Sequence, residues 1–139
     1  MVNKKGKDPK SDIISVSEEF KENFETIKKA FTESLANKHF FILALSYGYK
    51  EGVSTPHKGG KFGVTRWTYL EDEEKALLQS IALSETKDLL VIEKQSSMTS
   101  ICEEYANTGL KLLYQKFIRA KDKEDFILDL EKDIRKLQK

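Results

Sequence analysis

The segment that most limits what this chain can fold into is Phe40-Phe41-Ile42-Leu43-Ala44-Leu45, a run of consecutive apolar residues. In a helix from about Ser34 to Gly48 this run is apolar all round, so the helix must be packed on several sides. Punctuation follows at once. Gly48, Gly52, Gly59, Gly60 and Gly63, five of the chain's seven glycines, fall within sixteen residues together with Pro56. The stretch closes on Arg66-Trp67-Thr68-Tyr69, which carries the only tryptophan. The pattern describes a buried central helix that delivers a basic, glycine-rich loop.

The flanking sequence reads mainly as helix. Phe20, Phe24, Ile27 and Phe31 form one face of a first helix from about Ser17 to Phe31, with Ser17 as N-cap and Glu18 and Glu19 in the first turn. Thr32 or Ser34 caps the second helix, and Gly48 or Gly52 stops it. A third helix spans about Asp72 to Glu85 and buries Leu77, Leu78, Ile81 and Ala82; its acidic start suits the helix dipole. A long helix from about Ser97 to Arg119 carries Gly109, which costs propensity but permits close approach of another backbone. The last helix, from Lys121 to Lys139, lines up Phe126, Ile127, Leu130, Ile134 and Leu137 opposite a solvated face of alternating charges, and that apolar stripe either caps the core or docks a partner. Val64–Leu70 is either a short strand or an extended lead-in, and Leu89–Ile92 is either a strand that pairs with it or a helical turn. The expected architecture is mainly α, one domain over residues 13–139 with about five helices and room for a small two-stranded element at 64–70 and 89–92. Residues 1–12, lysine-rich and almost free of apolar groups, read as a flexible basic arm.

Length and composition agree with one core and no staples: 139 residues, 39% hydrophobic and 34% charged. The formal net charge of +1 gives no global field for nucleic acid, so such binding would need a local patch. A lone cysteine, Cys102, cannot form an intramolecular disulfide and fits a reducing compartment. The basic start is followed by no apolar signal region, and residues 40–45 are too few to span a bilayer. The expectation is a cytoplasmic protein that does not enter a membrane.

The candidate site is the loop. Lys50, Lys58, Lys61 and Arg66 are opposed within residues 50–66 only by Glu51, and His57 adds charge when protonated. Glycines let backbone amides turn toward an anion, which makes a phosphate contact surface one reading and a solvated loop the other. No phosphate-binding-loop, dinucleotide, zincin, CxxC or nucleophile-elbow motif occurs. With one cysteine and two histidines there is little material for nucleophilic or zinc chemistry. His39 reads as a hydrogen-bonded histidine and the acids at 71–74 as a helix start. Trp67 reads as a core anchor ahead of a base-stacking platform. No enzymatic activity, cofactor or metal is expected.

Four pieces, in this order and spacing, carry a resemblance: the helix leading into residue 31, LALSYGYKEGVSTP (43–56), RWTYLEDEEKALLQSIALSETKDL (66–89) and EEYANTGLKLL (103–113). Together, over about residues 20–115, they resemble the DNA phosphorothioation-associated protein 4 family, also called Dnd system-associated protein 4. Glu104-Tyr105-Ala106-Asn107 with Gly109 is the most specific piece, and Ile81–Thr86 is the next. Family members often have glycine where this chain has Lys87 and Thr108. The resemblance implies a setting beside restriction genes that act on DNA lacking sulfur in its backbone; it implies no catalytic residues.

Three functions are thereby weighed. The first is a non-enzymatic accessory subunit of a phosphorothioation-linked restriction or anti-phage assembly that contacts duplex DNA through Lys50, His57, Lys58, Lys61 and Arg66. The second is an adaptor that docks on protein subunits of that assembly through Phe126, Leu130, Ile134 and Leu137, aided by the aromatic first helix, without touching DNA. The third, a small transcriptional regulator, would need a dimer and a recognition helix, for which no base-reading residues stand out.

Overall fold

The computed structural model describes residues 12–30 and 36–137, with side chains up to residue 132 in the final helix. Among these residues lie five α-helices and one antiparallel ribbon: β1 (Ile13–Ser17), α1 (Lys21–Lys28), α2 (Asn37–Glu51), β2 (Lys61–Arg66), α3 (Asp72–Thr86), α4 (Gln95–Arg119) and α5 (Lys123–Leu137). The mainly α expectation is met. The proposed basic arm, apart from Asp12, and the expected caps Thr32 and Ser34 lie outside the described residues, as does Phe31.

Helix α2 is central, as its apolar run requires. Phe40, Phe41, Ala44 and Leu45 are each fully buried. Its principal neighbour is α4, and the two backbones approach through glycine. A carbon added at Gly48 would lie 1.7 Å from the Tyr105 carbonyl oxygen, and one added at Gly109 would lie 1.7 Å from that of Ala44. The close approach expected at Gly109 is therefore real, and Gly48 is its counterpart rather than a helix stop. The stop is Gly52, left-handed at φ 80°, a conformation that costs glycine little.

The ribbon corrects the expected strand pairing. Residues 89–92 do not pair with 64–70: Leu89–Glu93 is a 3-10 turn, in which the Leu90 N–H donates to Asp88 Oδ1 at 3.0 Å. β2 sits earlier, at Lys61–Arg66, and Trp67–Tyr69 is a second 3-10 turn. The partner is β1, with Ile14 opposite Thr65, Ser15 opposite Gly63 and Ser17 opposite Lys61; Val64 is the extra residue of a bulge. Ser17 ends the strand and also takes the N-cap position of a 3-10 turn, Glu18–Phe20, without a side-chain cap bond; that turn leads directly into the first α-helix at Lys21. Alternation in Ile13-Ile14-Ser15-Val16-Ser17 has the strand period, but it covers only five residues beside a lysine-rich stretch.

The acids at 71–74 do start α3. The Glu71 N–H donates to Glu74 Oε1 at 2.7 Å, completing a capping box. Lys38 Nζ lies 3.1 Å from Glu74 Oε1 and His39 Nε2 lies 3.5 Å from Glu74 Oε2, so His39 has an ordinary structural partner. Trp67 is half-buried against the small cluster of Ala82, Val91 and Met98, the anchor role expected of it.

Candidate functional site

The polar centre of the molecule lies where loop 53–60 crosses β1 and the middle of α4. Glu103 and Asn107 are one helical turn apart, share a face of α4, and are both buried. Each takes a backbone N–H from β1: Ser15 donates to Glu103 Oε2 at 2.7 Å, and Ser17 donates to Asn107 Oδ1 at 2.8 Å. Residues 15 and 17 are two apart, so their N–H groups leave the same edge of β1. The two α4 side chains occupy the place that a third strand would take.

His57 lies between them. Its Nε2 is 3.0 Å from Glu103 Oε1, and its Nδ1 is 3.3 Å from Asn107 Nδ2. The network sets the proton positions. Asn107 accepts through Oδ1 from Ser17, so its amide nitrogen is the donor toward both the Thr55 carbonyl (2.8 Å) and His57 Nδ1. The ring must then accept at Nδ1 and carry its proton on Nε2, from which it donates to the Glu103 carboxylate. Burial raises the Glu103 carboxyl above its ordinary value, and this outweighs the opposing pull of the Ser15 N–H, His57 and Lys61. The rest of the loop is tied down just as closely. The Thr55 N–H donates to the Glu104 carbonyl at 2.9 Å, and the Thr55 and Thr108 hydroxyls are 2.7 Å apart. The Lys58 N–H donates to Ser17 Oγ at 2.8 Å, and the Glu18 N–H donates to the Gly60 carbonyl at 3.0 Å.

On a neighbouring face of α4, Tyr105 donates to the Glu85 carboxylate. Tyr49 donates to Ser84 Oγ at 2.9 Å, and the two tyrosine rings stand edge to face at 5.4 Å. The hydrogen bond to Glu85, then burial, pushes the Tyr105 hydroxyl up to about 12. Cys102 is fully buried, and burial, reinforced by nearby Glu103, pushes its thiol up to about 12. That thiol is a core group rather than a poised nucleophile.

The cations expected to act together are dispersed. Lys50 lies beside Lys116 and Arg119, in a cleft of about 320 Å³ between the C-terminal ends of α2 and α4. Arg66, at the far end of β2 from Lys61, is 3.3 Å from Asp12. Lys61 Nζ is 3.9 Å from Glu103 Oε1, and both ring nitrogens of His57 are engaged within the fold. Of the loop set, Lys58 is exposed with its backbone held by Ser17. The docking stripe also needs correction. Phe126 and Leu130 are buried at 0% and 2% exposure, with Phe126 edge to face on Phe117 at 5.2 Å, because the stripe caps the chain's own core. The side chains of Ile134 and Leu137 lie outside the described residues.

Glu103 and Asn107 were not singled out as site residues by sequence reasoning. The available signal was two polar residues embedded among Cys102, Ala106 and Leu110, a stripe that is otherwise apolar.

Fold and site together define a small, mainly α-helical protein in which buried polar side chains of the longest helix hold a two-stranded ribbon and its glycine-rich loop. Within that class the chain belongs to the DNA sulphur modification system-associated protein 4 family, whose sequence model matches residues 14–138. Comparison with curated proteins and with solved structures gives no match.

Proposed function

We propose that this chain is a non-enzymatic accessory subunit of a DNA phosphorothioation-linked restriction or defence system in the cytoplasm, and that it acts by docking on protein subunits of that system. Family membership supplies the association with DNA sulphur modification. The observation that carries the docking reading is the internal use of the loop. Thr55, His57 and Lys58 spend backbone or ring groups on α4 and β1, and Lys61 and Arg66 each face an acid. A loop committed in this way is a rigid shape for a protein partner more than a cationic cradle for phosphates.

Duplex DNA contact is the second reading, favoured by Lys50, Lys116 and Arg119 lining one cleft, although Glu51 lines it as well and Lys116 is 3.2 Å from Asp129. A titration of the purified chain on sulphur-modified and unmodified duplexes at two salt concentrations separates the readings, with co-purification of the system's other subunits run alongside. The docking reading expects co-purification that survives Lys58→Ala/Lys61→Ala, and no duplex binding by the chain alone. Salt-sensitive binding, with log affinity falling by about 0.9 per phosphate contact against log salt, would replace it with the DNA reading. Loss in Lys58→Ala/Lys61→Ala would place that contact in the loop, and loss in Lys50→Ala/Arg119→Ala would place it in the cleft.

A further inference from the structure

Loop 53–60 is held differently from the elements around it. None of its residues is buried: Thr55 and His57 are half-buried, the rest are exposed, and even Val53 is 52% exposed. The loop therefore takes little apolar surface out of water. Among the described residues, what fastens it is a set of hydrogen bonds. Thr55 uses its N–H, carbonyl and hydroxyl on Glu104, Asn107 and Thr108, His57 uses its ring on Glu103 and Asn107, and the Lys58 backbone meets the Ser17 hydroxyl. Water can replace such bonds on both partners, so letting them go costs far less than uncovering apolar core.

Each end of the loop has a pivot, and beyond each pivot the chain is anchored. Gly52 has φ +80° and Gly59 has φ +85°, and a carbon built at either meets nothing within 4 Å, so the chain turns there in open space. On the near side the Gly52 N–H donates to the Gly48 and Tyr49 carbonyls, both at 3.1 Å; on the far side the Glu18 N–H donates to the Gly60 carbonyl at 3.0 Å. We infer that residues 53–58 form a strap that opens as one unit about Gly52 and Gly59, uncovering Glu103, Asn107 and Thr108 on α4 while the helices and the ribbon stay folded. Opening withdraws the shape that the closed loop offers and returns a buried carboxylate to water, so the closed and open chains present different surfaces. The closed strap is the ground state, whose shape the docking reading uses. The opening is a property of the chain alone and goes beyond that reading.

The test is native-state hydrogen exchange of the full chain, read by NMR at denaturant concentrations below the unfolding transition. Thr55 and Lys58 carry the strap's hydrogen-bonded amides. Their protection should be equal, lower than that of the core, and almost independent of denaturant, because opening exposes little surface. Ser15 and Ser17, whose N–H groups bind α4 directly, should stay protected through the opening, as should Ala44 and Leu45 in the core. Protection at Thr55 and Lys58 that differs by more than about tenfold would overturn the single unit. A denaturant slope as steep as that of Ala44 and Leu45 would overturn local opening, since the loop would then be released only by global unfolding. Exchange of Ser15 and Ser17 together with the strap would overturn the pivots, because β1 would be moving too. His57→Ala adds a second readout. It removes the ring's bonds to Glu103 and Asn107, so exchange at Thr55 and Lys58 should speed up by one common factor of about ten. No acceleration, or acceleration at one amide without the other, would overturn the inference.

Discussion

Toward α2, helix α4 offers backbone: the Tyr105 carbonyl against Gly48, and Gly109 against the Ala44 carbonyl. Toward β1 and loop 53–60 it offers the side chains of Glu103, Asn107 and Thr108 and the Glu104 carbonyl, all as hydrogen-bond partners. Tyr105 and Glu103 are two residues apart, roughly 200° round the helix, so the two seams lie on different faces of one rod. The apolar seam depends on shape and has no slack, because a helix backbone cannot move out of the way as a side chain can. The polar seam depends on satisfying groups that the fold has already taken from water, and its failures are those of unpaired donors and acceptors. Mutation and pH should therefore separate the seams.

The largest effect belongs to the apolar seam. Gly48→Ala and Gly109→Ala each put a carbon 1.7 Å from a carbonyl oxygen. The helices must then separate along their whole contact. The overpacking cost should be about 3 kcal/mol or more for either variant, measured by chemical denaturation. A loss below about 1 kcal/mol in both would mean that α2 and α4 are not held this closely. Helix propensity acts in the opposite direction, since alanine is favoured over glycine by about 1 kcal/mol in a helix interior. A net destabilisation can therefore come only from the crossing.

Asn107→Ala tests the polar seam and should come next. It leaves the Ser17 N–H and the Thr55 carbonyl without their side-chain partner and removes the donor that fixes the His57 ring. An unsatisfied buried group costs about 1–3 kcal/mol, so a loss of about 2–3 kcal/mol is expected, together with faster hydrogen exchange at Ser17. Exchange at Ala44 and Leu45 should change only as far as global stability does. If both regions lose protection equally beyond that, the two seams are one cooperative unit and the comparison fails.

How much of this was legible in the sequence follows the same division. The apolar seam is written locally. Six apolar residues in a row demand a helix packed on several sides, and a glycine inside a long amphipathic helix signals a close neighbour. Gly48 was ambiguous, because a glycine near a helix end can be a stop or a contact, and only the partner backbone decides. The polar seam is written non-locally. Glu103 and Asn107, at i and i+4 among apolar neighbours, stand out as polar but have no visible partner until β1 arrives from about ninety residues earlier, the sequence separation being 88 and 90. β1 itself is too short to announce a strand, and it is stable because α4 seals its edge. Lys50, His57, Lys58, Lys61 and Arg66 look like one basic loop when read in line. In the fold they divide among a cleft (Lys50), a buried network (His57), the exposed loop surface (Lys58) and the two ends of β2 (Lys61 and Arg66), because the chain turns at Gly52, Gly59 and Gly60, all with positive φ. Phe126 and Leu130 form a readable stripe, but a stripe does not say whether its cover is a partner or the chain's own core.

The pH response of the polar seam carries a definite sign. Burial raises the Glu103 carboxyl above its ordinary value near 4.5. Between the unfolded and folded values, the native state therefore holds more protons than the unfolded one. Stability must fall as pH rises through that window and level off above it. Glu103→Gln keeps the shape and removes the titration, so the variant should lack this falling component, read as the difference in the slope of unfolding free energy against pH upward from about 4.5. A difference of the opposite sign would mean that the donors from Ser15, His57 and Lys61 outweigh burial.

Thr108→Val should have the smallest effect and gives the finest measure of the polar seam. The Thr108 hydroxyl meets that of Thr55 at 2.7 Å. Valine keeps the shape and removes the hydroxyl. Thr55 Oγ1 is then left without its partner, but Thr55 is only half-buried, so water can take over the bond. The loss should be about 1 kcal/mol or less, well below Asn107→Ala, although both residues bond to Thr55. A loss as large as that of Asn107→Ala would show that the Thr55 side chain, rather than its carbonyl, fastens the loop to α4. The polar seam would then hang from the pair of hydroxyls, with the Glu103–His57–Asn107 network secondary to them.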